Sequence, residues 1–355
     1  MNILLVCKLA NHTLKENVLL PLLRSQSVEH IYVLRDEPSD TINGHVTYMC
    51  PKTSSKGKMR HLRKIQLGIR IVKKYQIEAI IGVLNTPHGY IGRTIGILTQ
   101  TPYVHMTIAG HREFWIDGKL MEKWNLWFIG NSTAITVSGS KTREYLENKG
   151  IQKDKIFILP NLPNEAYTKV LVQERRHYDI VSFSRIDKNK NLILLVKALS
   201  RIKHEMKVAI AGDGEELENV KAAAVEYGVS SRMEFLGYIS SFEDKVKLLS
   251  NSKIFISCSK GEGFPVSLLE AMNCGCVPVV SNVGDIADVI CPGQNGYLYE
   301  DTDNEGEFVE CLEKLLSDEE KLAAMRAEAV KIKETISVSA NGKIWNTVLE
   351  YVSRK

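Results

Sequence analysis

No apolar run in the 355 residues approaches the ~20 that a bilayer-crossing helix needs. No segment therefore reads as a membrane span. The seven cysteines include no C-x-x-C pair, and the nine histidines include no H-x-x-x-H pair. Buried, reduced thiols are the better reading of such a set, and no zinc site is visible. A large charge excess is also missing: the formal net charge is only +4, too mild to imply a nucleic-acid partner. Internal repeats and low-complexity tracts are absent as well.

What is present is the composition of a soluble globular protein, 44% hydrophobic and 25% charged. The length suits two domains of ordinary size, each able to bury a core. Met1 to Val6 is too short for a signal peptide and reads as a first buried strand. A cytoplasmic location is the expectation.

One stretch organises the rest: Ser257-Cys-Ser-Lys-Gly-Glu-Gly-Phe-Pro-Val-Ser-Leu-Leu-Glu-Ala-Met272. Apolar Ile254 to Ile256 precede it as the end of a strand, and Lys260 to Gly263 supply a turn. Pro265 suits the first turn of a helix running to Met272, which Asn273 to Gly275 stop. Glu262 lies in the turn and Glu270 about one helical turn in. Helical side chains tilt toward the N-terminus, so both acids are expected to approach one small volume there. A helix N-terminus favours phosphate, whereas carboxylates accept hydrogen bonds from hydroxyls. A ligand offering both phosphates and hydroxyls is a sugar nucleotide.

The string from Glu262 to Val280 resembles the Glu-x7-Glu signature of retaining glycosyltransferases of the GT-B fold, in particular glycosyltransferase family 4. Three further segments are similar to that family. Arg185-Ile-Asp-Lys-Asn-Lys190 follows the strand Ile180 to Ser184 and is similar to its Arg-x4-Lys element, which implies binding of the donor diphosphate. The chemistry agrees, since Arg185 offers a planar fork of donors and Lys190 a point charge. Met233 to Ile239 resembles the strand and loop that hold the nucleobase, which makes Gly237, Tyr238 and Ile239 candidate contacts. Gly212-Asp-Gly214 matches the family's architectural turn; Leu217 replaces the third glycine that a dinucleotide site would need.

The first half matches more loosely. The loop from Cys7 to Glu16 has no glycine, although the family usually has glycines there to approach donor phosphate. Lys8, Asn11 and His12 either take over that contact or simply face solvent. Residues 52–74 carry six lysines, three arginines and no acid, with Leu62, Ile65, Ile69 and Val72 at helical spacing. Such a basic amphipathic helix can lie on an anionic membrane or pack on the sheet with its cations solvated. His111 follows the strand Tyr103 to Ile108 and is the candidate for the family's histidine near the sugar or acceptor; His105, within the strand, reads as a core residue. Phe114, Trp115, Trp124, Trp127 and Phe128 either receive a sugar or lipid acceptor or pack between helices. Asp301-Thr-Asp303 sits in an acidic loop and reads as solvated rather than metal-binding.

The expected fold is α/β, with two Rossmann-like domains whose parallel sheets face across a cleft, as in GT-B. Residues 1–165 form the acceptor-side domain, 166–177 an exposed linker and 178–335 the donor-nucleotide domain; 336–355 form a helix crossing back to the first. The resemblance implies a retaining, metal-independent hexosyltransferase that uses a nucleotide-sugar as substrate and no cofactor, with UDP-sugars favoured over GDP-sugars. Its acceptor is expected to be a saccharide or lipid-linked glycan of cell-surface polysaccharide synthesis, with possible anionic-membrane contact through residues 52–74. Arg185, Lys190, Glu262 and His111 are the expected catalytic set. Gly263, Phe264, Pro265, Val266, Glu270 and the 237–239 backbone are the expected donor contacts. A hydrolysing sugar-nucleotide epimerase and a non-catalytic sugar-nucleotide-binding subunit remain alternatives.

Overall fold

The computed structural model describes every residue except 40, 41, 43, 52–57 and 115–117. The loop lysines 52 and 56 of the basic segment, and Trp115, lie outside the described residues. The chain divides into two compact units, Met1–Leu162 with Ile336–Lys355, and Pro163–Thr335.

In the first unit, seven parallel strands form one sheet: β1 (Asn2–Val6), β2 (His30–Leu34), β3 (Val46–Met49), β4 (Ala79–Val83), β5 (Tyr103–Met106), β6 (Ala134–Val137) and β7 (Ile156–Ile158), in the order β3-β2-β1-β4-β5-β6-β7. Their continuous apolar runs suit a sheet covered on both faces. Successive side chains of β1 point to opposite faces. Ile3 and Leu5 join a core with Leu14, Val18 and Trp345, while Leu4 and Val6 join one with Ile71, Ile80 and Ile95. The last helix, Val338–Ser353, belongs to this unit although the chain reaches it from the second. Ser337 caps it by accepting from the Ala340 N–H at 3.2 Å, and Trp345, Val348 and Leu349 are fully buried. Asn341 donates to the Pro160 carbonyl at 2.8 Å, tying the helix to the end of the unit's own sheet segment.

The second unit repeats the scheme with β8 (Tyr178–Phe183), β9 (Val208–Ala211), β10 (Met233–Gly237), β11 (Ser252–Ser257), β12 (Val277–Ser281) and β13 (Tyr297–Tyr299), ordered β10-β9-β8-β11-β12-β13 and all parallel. The helix Leu192–Arg201 buries Leu194, Leu195, Val196 and Leu199 against it.

Three features differ from expectation. Strands β3 (Val-Thr-Tyr-Met) and β13 (Tyr-Leu-Tyr) lack the continuous aliphatic run that marks buried strands such as β1 in the sequence. Residues 166–177 are not a free connection, because Tyr167 is buried with its ring 4.9 Å from Phe242. Arg176 anchors the same segment by donating to the carbonyls of Ser252 at 2.5 Å and Cys274 at 2.8 Å, the latter at a helix end left unsatisfied by the helix itself. The basic helix, Lys58–Tyr75, packs through Gly68, Ile71 and Val72, while Leu62 is 48% exposed. Its rotation is set by Lys64, which is buried and ion-paired with Asp36 at 2.8 Å. Part of the helix's charge is therefore spent inside the unit.

Candidate functional site

In the second sheet, β8 and β11 are neighbours, yet the chain leaves β8 for β9 on one side and β11 for β12 on the other. The loops beyond their carboxyl ends diverge, and in open parallel sheets ligands bind at such a reversal. The loop after β8 carries Arg185 and Lys190; the loop after β11 carries Glu262. The fold brings them together: the Lys190 Nζ forms an ion pair with the Glu262 Oε1 across 72 residues of chain. Both side chains are largely shielded, at 17% and 15% exposure. Arg185 stands at the same loop, 84% exposed, with its Nη2 at 3.1 Å from Asp187 Oδ2.

Short polar groups stitch the two loops. The Lys260 N–H donates to the Asn189 carbonyl at 2.8 Å, and Asn189 Nδ2 donates to the Gly261 carbonyl at 2.8 Å. Asp187 Oδ1 accepts from the Lys190 N–H at 3.1 Å. Backbone from neighbouring loops presses close. A Cβ on Gly212 would lie 1.8 Å from the Ser184 carbonyl oxygen, and one on Gly284 would lie 2.3 Å from that of Glu262 and 2.4 Å from that of Gly263. The Asp285 N–H donates to the Gly263 carbonyl at 2.8 Å. Asn189, Asp187 and Gly284 are positioning residues that the sequence reading did not single out. Asp and Asn inside a strand-to-helix loop were the available signal, because such side chains bond nearby backbone.

The helix Val266–Asn273 starts from Pro265, which sits at the N-cap rather than in the first turn. Among the described residues no side chain caps it, so its first N–H groups face the loop that holds Glu262 and Gly263. Phe264 is buried beneath. Glu270 lies in other surroundings than Glu262. No described contact joins the two acids; Glu270 instead senses Lys245, and its charge is felt by Tyr167. Glu270 is half-buried on the helix that follows the Glu262 loop.

Burial pushes the Glu270 carboxyl up to about 7, partly offset by Lys245. The unfolded group titrates near 4.5, so its folded pKa is raised. Below pH 4.5 the acid is neutral in both states and costs nothing. The cost of holding it charged grows as pH rises to about 7 and is constant above, reaching up to about 3 kcal/mol. Glu270→Gln should therefore melt higher than the native chain at pH 8 by more than it does at pH 5, both without ligand. Parallel melting curves across that range would mean that Glu270 is not desolvated.

The other candidates are spread more widely. Gly237 ends β10, and its carbonyl accepts from the Gly212 N–H at 2.8 Å, which links it to the loop that braces Ser184. Tyr238 is exposed and Ile239 half-buried, and both line a cavity of about 580 Å³ with Leu236, Asp244 and Leu248. No described contact joins them directly to Lys190 or Glu262. His111 belongs to the first unit, where it opens a short helix, His111–Phe114, beyond β5; its ring centre is 5.5 Å from that of Tyr145. His105 is fully buried, with Nδ1 3.1 Å from the Tyr103 hydroxyl. In the glycine-free loop, Lys8 and His12 are exposed, whereas Asn11 Oδ1 accepts from Arg35 Nη1 at 3.0 Å. Asp303 pairs with Lys260 at 2.5 Å and Asp301 accepts from the N–H groups of its own loop.

Two parallel sheets flanked by helices, the second with a cation–carboxylate pair at its strand-order reversal, define the GT-B architecture, and three comparisons agree with it. Residues 163–332 match the model of the glycosyl transferases group 1. An N,N'-diacetylbacillosaminyl-diphospho-undecaprenol alpha-1,3-N-acetylgalactosaminyltransferase from Campylobacter jejuni is 25% identical over 73% of this chain and 75% of its own. The serotype-specific mannosyltransferase WbdA of Escherichia coli is 26% identical over 62% of this chain, which spans only 28% of that longer protein. The Anabaena protein HepE, solved in complex with UDP, superposes with a TM-score of 0.77 at 15% identity, covering 98% of this chain and 99% of that one. The chain is thus a glycosyltransferase. Its second unit is similar to the glycosyl transferases group 1 domain.

Proposed function

We propose that this chain is a retaining, metal-independent hexosyltransferase that takes its sugar from a nucleotide donor, UDP-linked in preference to GDP-linked. The observation that carries the reading is the Lys190–Glu262 pair beside Arg185 at the carboxyl edge of the second sheet. Arg185 and Lys190 offset the charge that builds on the departing diphosphate, which is the work a metal ion does in other transferases. Glu262 accepts from a sugar hydroxyl and orients the ring with the N–H groups of Gly263 to Val266. Glu270 accepts from the ribose hydroxyls, and the backbone of Gly237, Tyr238 and Ile239 holds the base. The leaving phosphate takes the acceptor's proton on the face from which it departs, so neither glutamate is assigned as a nucleophile. His111 is assigned to the sugar or its acceptor.

A UDP complex of a structural relative supports the choice of base. The relative named for a diphospho-undecaprenol substrate supports a lipid-linked saccharide of cell-surface glycan synthesis as acceptor. A cytoplasmic, membrane-associated location fits that acceptor. Among the described residues no helix is long and apolar enough to cross a membrane, and the exposed Arg70, Lys73 and Lys74 of the basic helix add attraction to anionic lipid.

A thermal-shift panel of UDP-, GDP- and ADP-sugars tests the donor, since a ligand bound only by the native state raises its melting point. UDP-sugars should give the largest rise. Incubation with the stabilising donor, with and without saccharide acceptor, then tests the reaction. Product formed only with acceptor, with the anomeric configuration kept by NMR and unaffected by chelator, is expected. A changed sugar from donor alone would instead identify an epimerase, and binding without turnover a non-catalytic subunit.

A further inference from the structure

The first unit carries a helix whose outer face nothing in the proposed reaction uses. Lys119–Gly130 is anchored on its inner side by buried Asn125, Phe128 and Ile129, with Asn125 Nδ2 donating to the Phe114 carbonyl at 3.0 Å. On the opposite side Leu120, Trp124 and Trp127 are 83%, 53% and 62% exposed. Their spacing of four and three residues puts them on one stripe, and the two indole rings stand 5.2 Å apart. Large apolar side chains aligned this way on a well-anchored helix lack a covering partner among the described residues.

The charge beside the stripe says what covers it. Exposed Lys119 and Lys123 flank it one residue before Leu120 and Trp124. An adjoining groove of about 870 Å³ is lined by Trp127 together with Lys119, Lys123, Lys149 and Lys155. Its lining includes a single acid, Glu122, already held by Lys149 at 2.6 Å and by the Tyr145 hydroxyl at 2.7 Å. Indole rings favour the headgroup level of a bilayer, where their apolar body and N–H donor are both satisfied, and lysines beside them draw anionic lipid. Lys149 is held by Glu122 and Lys155 donates to the Gly130 carbonyl, which leaves Lys119 and Lys123 for the occupant. A soluble protein would need an acidic rim around an apolar centre to match them, whereas anionic lipid supplies both together.

We propose that this face lies on an anionic phospholipid bilayer, with Leu120, Trp124 and Trp127 at the interface and the lysine-lined groove receiving lipid headgroup phosphates. The assignment deepens the lipid-linked acceptor reading above and moves the principal membrane contact from the basic helix Lys58–Tyr75 to this one.

Flotation with vesicles of phosphatidylcholine, alone or with about a third phosphatidylglycerol, tests the proposal and needs neither donor nor acceptor. Its failure would thus leave the transferase reading standing. The native chain should float with the mixed vesicles at low salt and much less with the neutral ones. Trp124→Ala/Trp127→Ala should lower the bound fraction at limiting lipid about tenfold, and Lys119→Glu/Lys123→Glu comparably. All four side chains are exposed, so each pair should melt like the native chain, and the charge reversal decides the matter if the indole pair does not fold. Millimolar inorganic phosphate should not release the protein beyond the effect of matched ionic strength. Equal binding to neutral vesicles, native flotation by both variants, or selective release by free phosphate would overturn the assignment. So would a dimer in light scattering that Trp124→Ala dissociates, because a second copy would then be the occupant.

Discussion

Lys190→Ala should lower sugar transfer by roughly 10²–10³-fold at saturating donor, the size of effect seen when one preorganised donor to a developing anion is removed. The loss should appear in kcat more than in the donor KM, since charge on the diphosphate peaks in the transition state. The structural reason is the enclosure of the ammonium group. It is mostly shielded from water and fixed by Glu262, and its own backbone N–H is held by Asp187. A charge positioned this way needs little reorganisation when the leaving group forms. Lys190→Arg keeps the charge but replaces a compact ammonium by a wide planar fork, so it should recover only part of the rate. Transfer assays at matched, saturating donor measure all three proteins. Native kcat in the alanine variant, with a native melting curve, would remove Lys190 from the reaction.

Gly284→Ala should damage both the stability of the second unit and its activity. The added carbon would meet two backbone oxygens at 2.3 and 2.4 Å, at a residue whose φ is +59°. Backbone cannot step aside as a flexible side chain does, and the left-handed conformation adds its own cost for an L-residue. The combined penalty is about 3 kcal/mol, which for a unit of this size is a fall in melting temperature of roughly 6–12 °C. The oxygens displaced belong to Glu262 and Gly263, so activity should fall even in molecules that stay folded. Calorimetry together with transfer assays below the transition checks both parts. Unchanged stability would show that the 284 turn does not brace the Glu262 loop.

Most strands of both units were legible in the sequence, but the site motifs were clear only in the second. Apolar runs such as Ile254 to Ile256 and Val277 to Val280 are buried strands almost to the residue, because a parallel sheet covered on both faces demands continuous hydrophobicity. The loops carrying Arg185, Lys190 and Glu262 were visible for the same reason, since each falls between a strand and a helix with clear periods. Contacts made by backbone were not visible. Nothing in the letters around Gly284 or Asn189 says which carbonyl they press on or bond to, since those partners are 21 and 22 residues away for Gly284 and 72 for Asn189. Glu270 was placed by helical geometry alone, which gives direction and not depth; the packing of its helix decided how far it is withdrawn from water. The basic helix misled for a related reason. An Asp36 that pairs with Lys64 turned a cation inward, and no amphipathic count anticipates a buried salt bridge.

The closing helix has a consequence for synthesis. Residues 163–335 are contiguous and can condense while still tethered to the ribosome, but the first unit takes Trp345 and Leu349 from a helix made after the second unit. Its sheet emerges before the second unit and waits, with the side chains around Leu14 and Val18 unroofed, until that whole unit has been translated. At about 5–20 residues per second that interval lasts on the order of ten seconds or more. The earliest-made portion is thus the last to be completed, and it is the portion for which a nascent-chain chaperone has most to shelter.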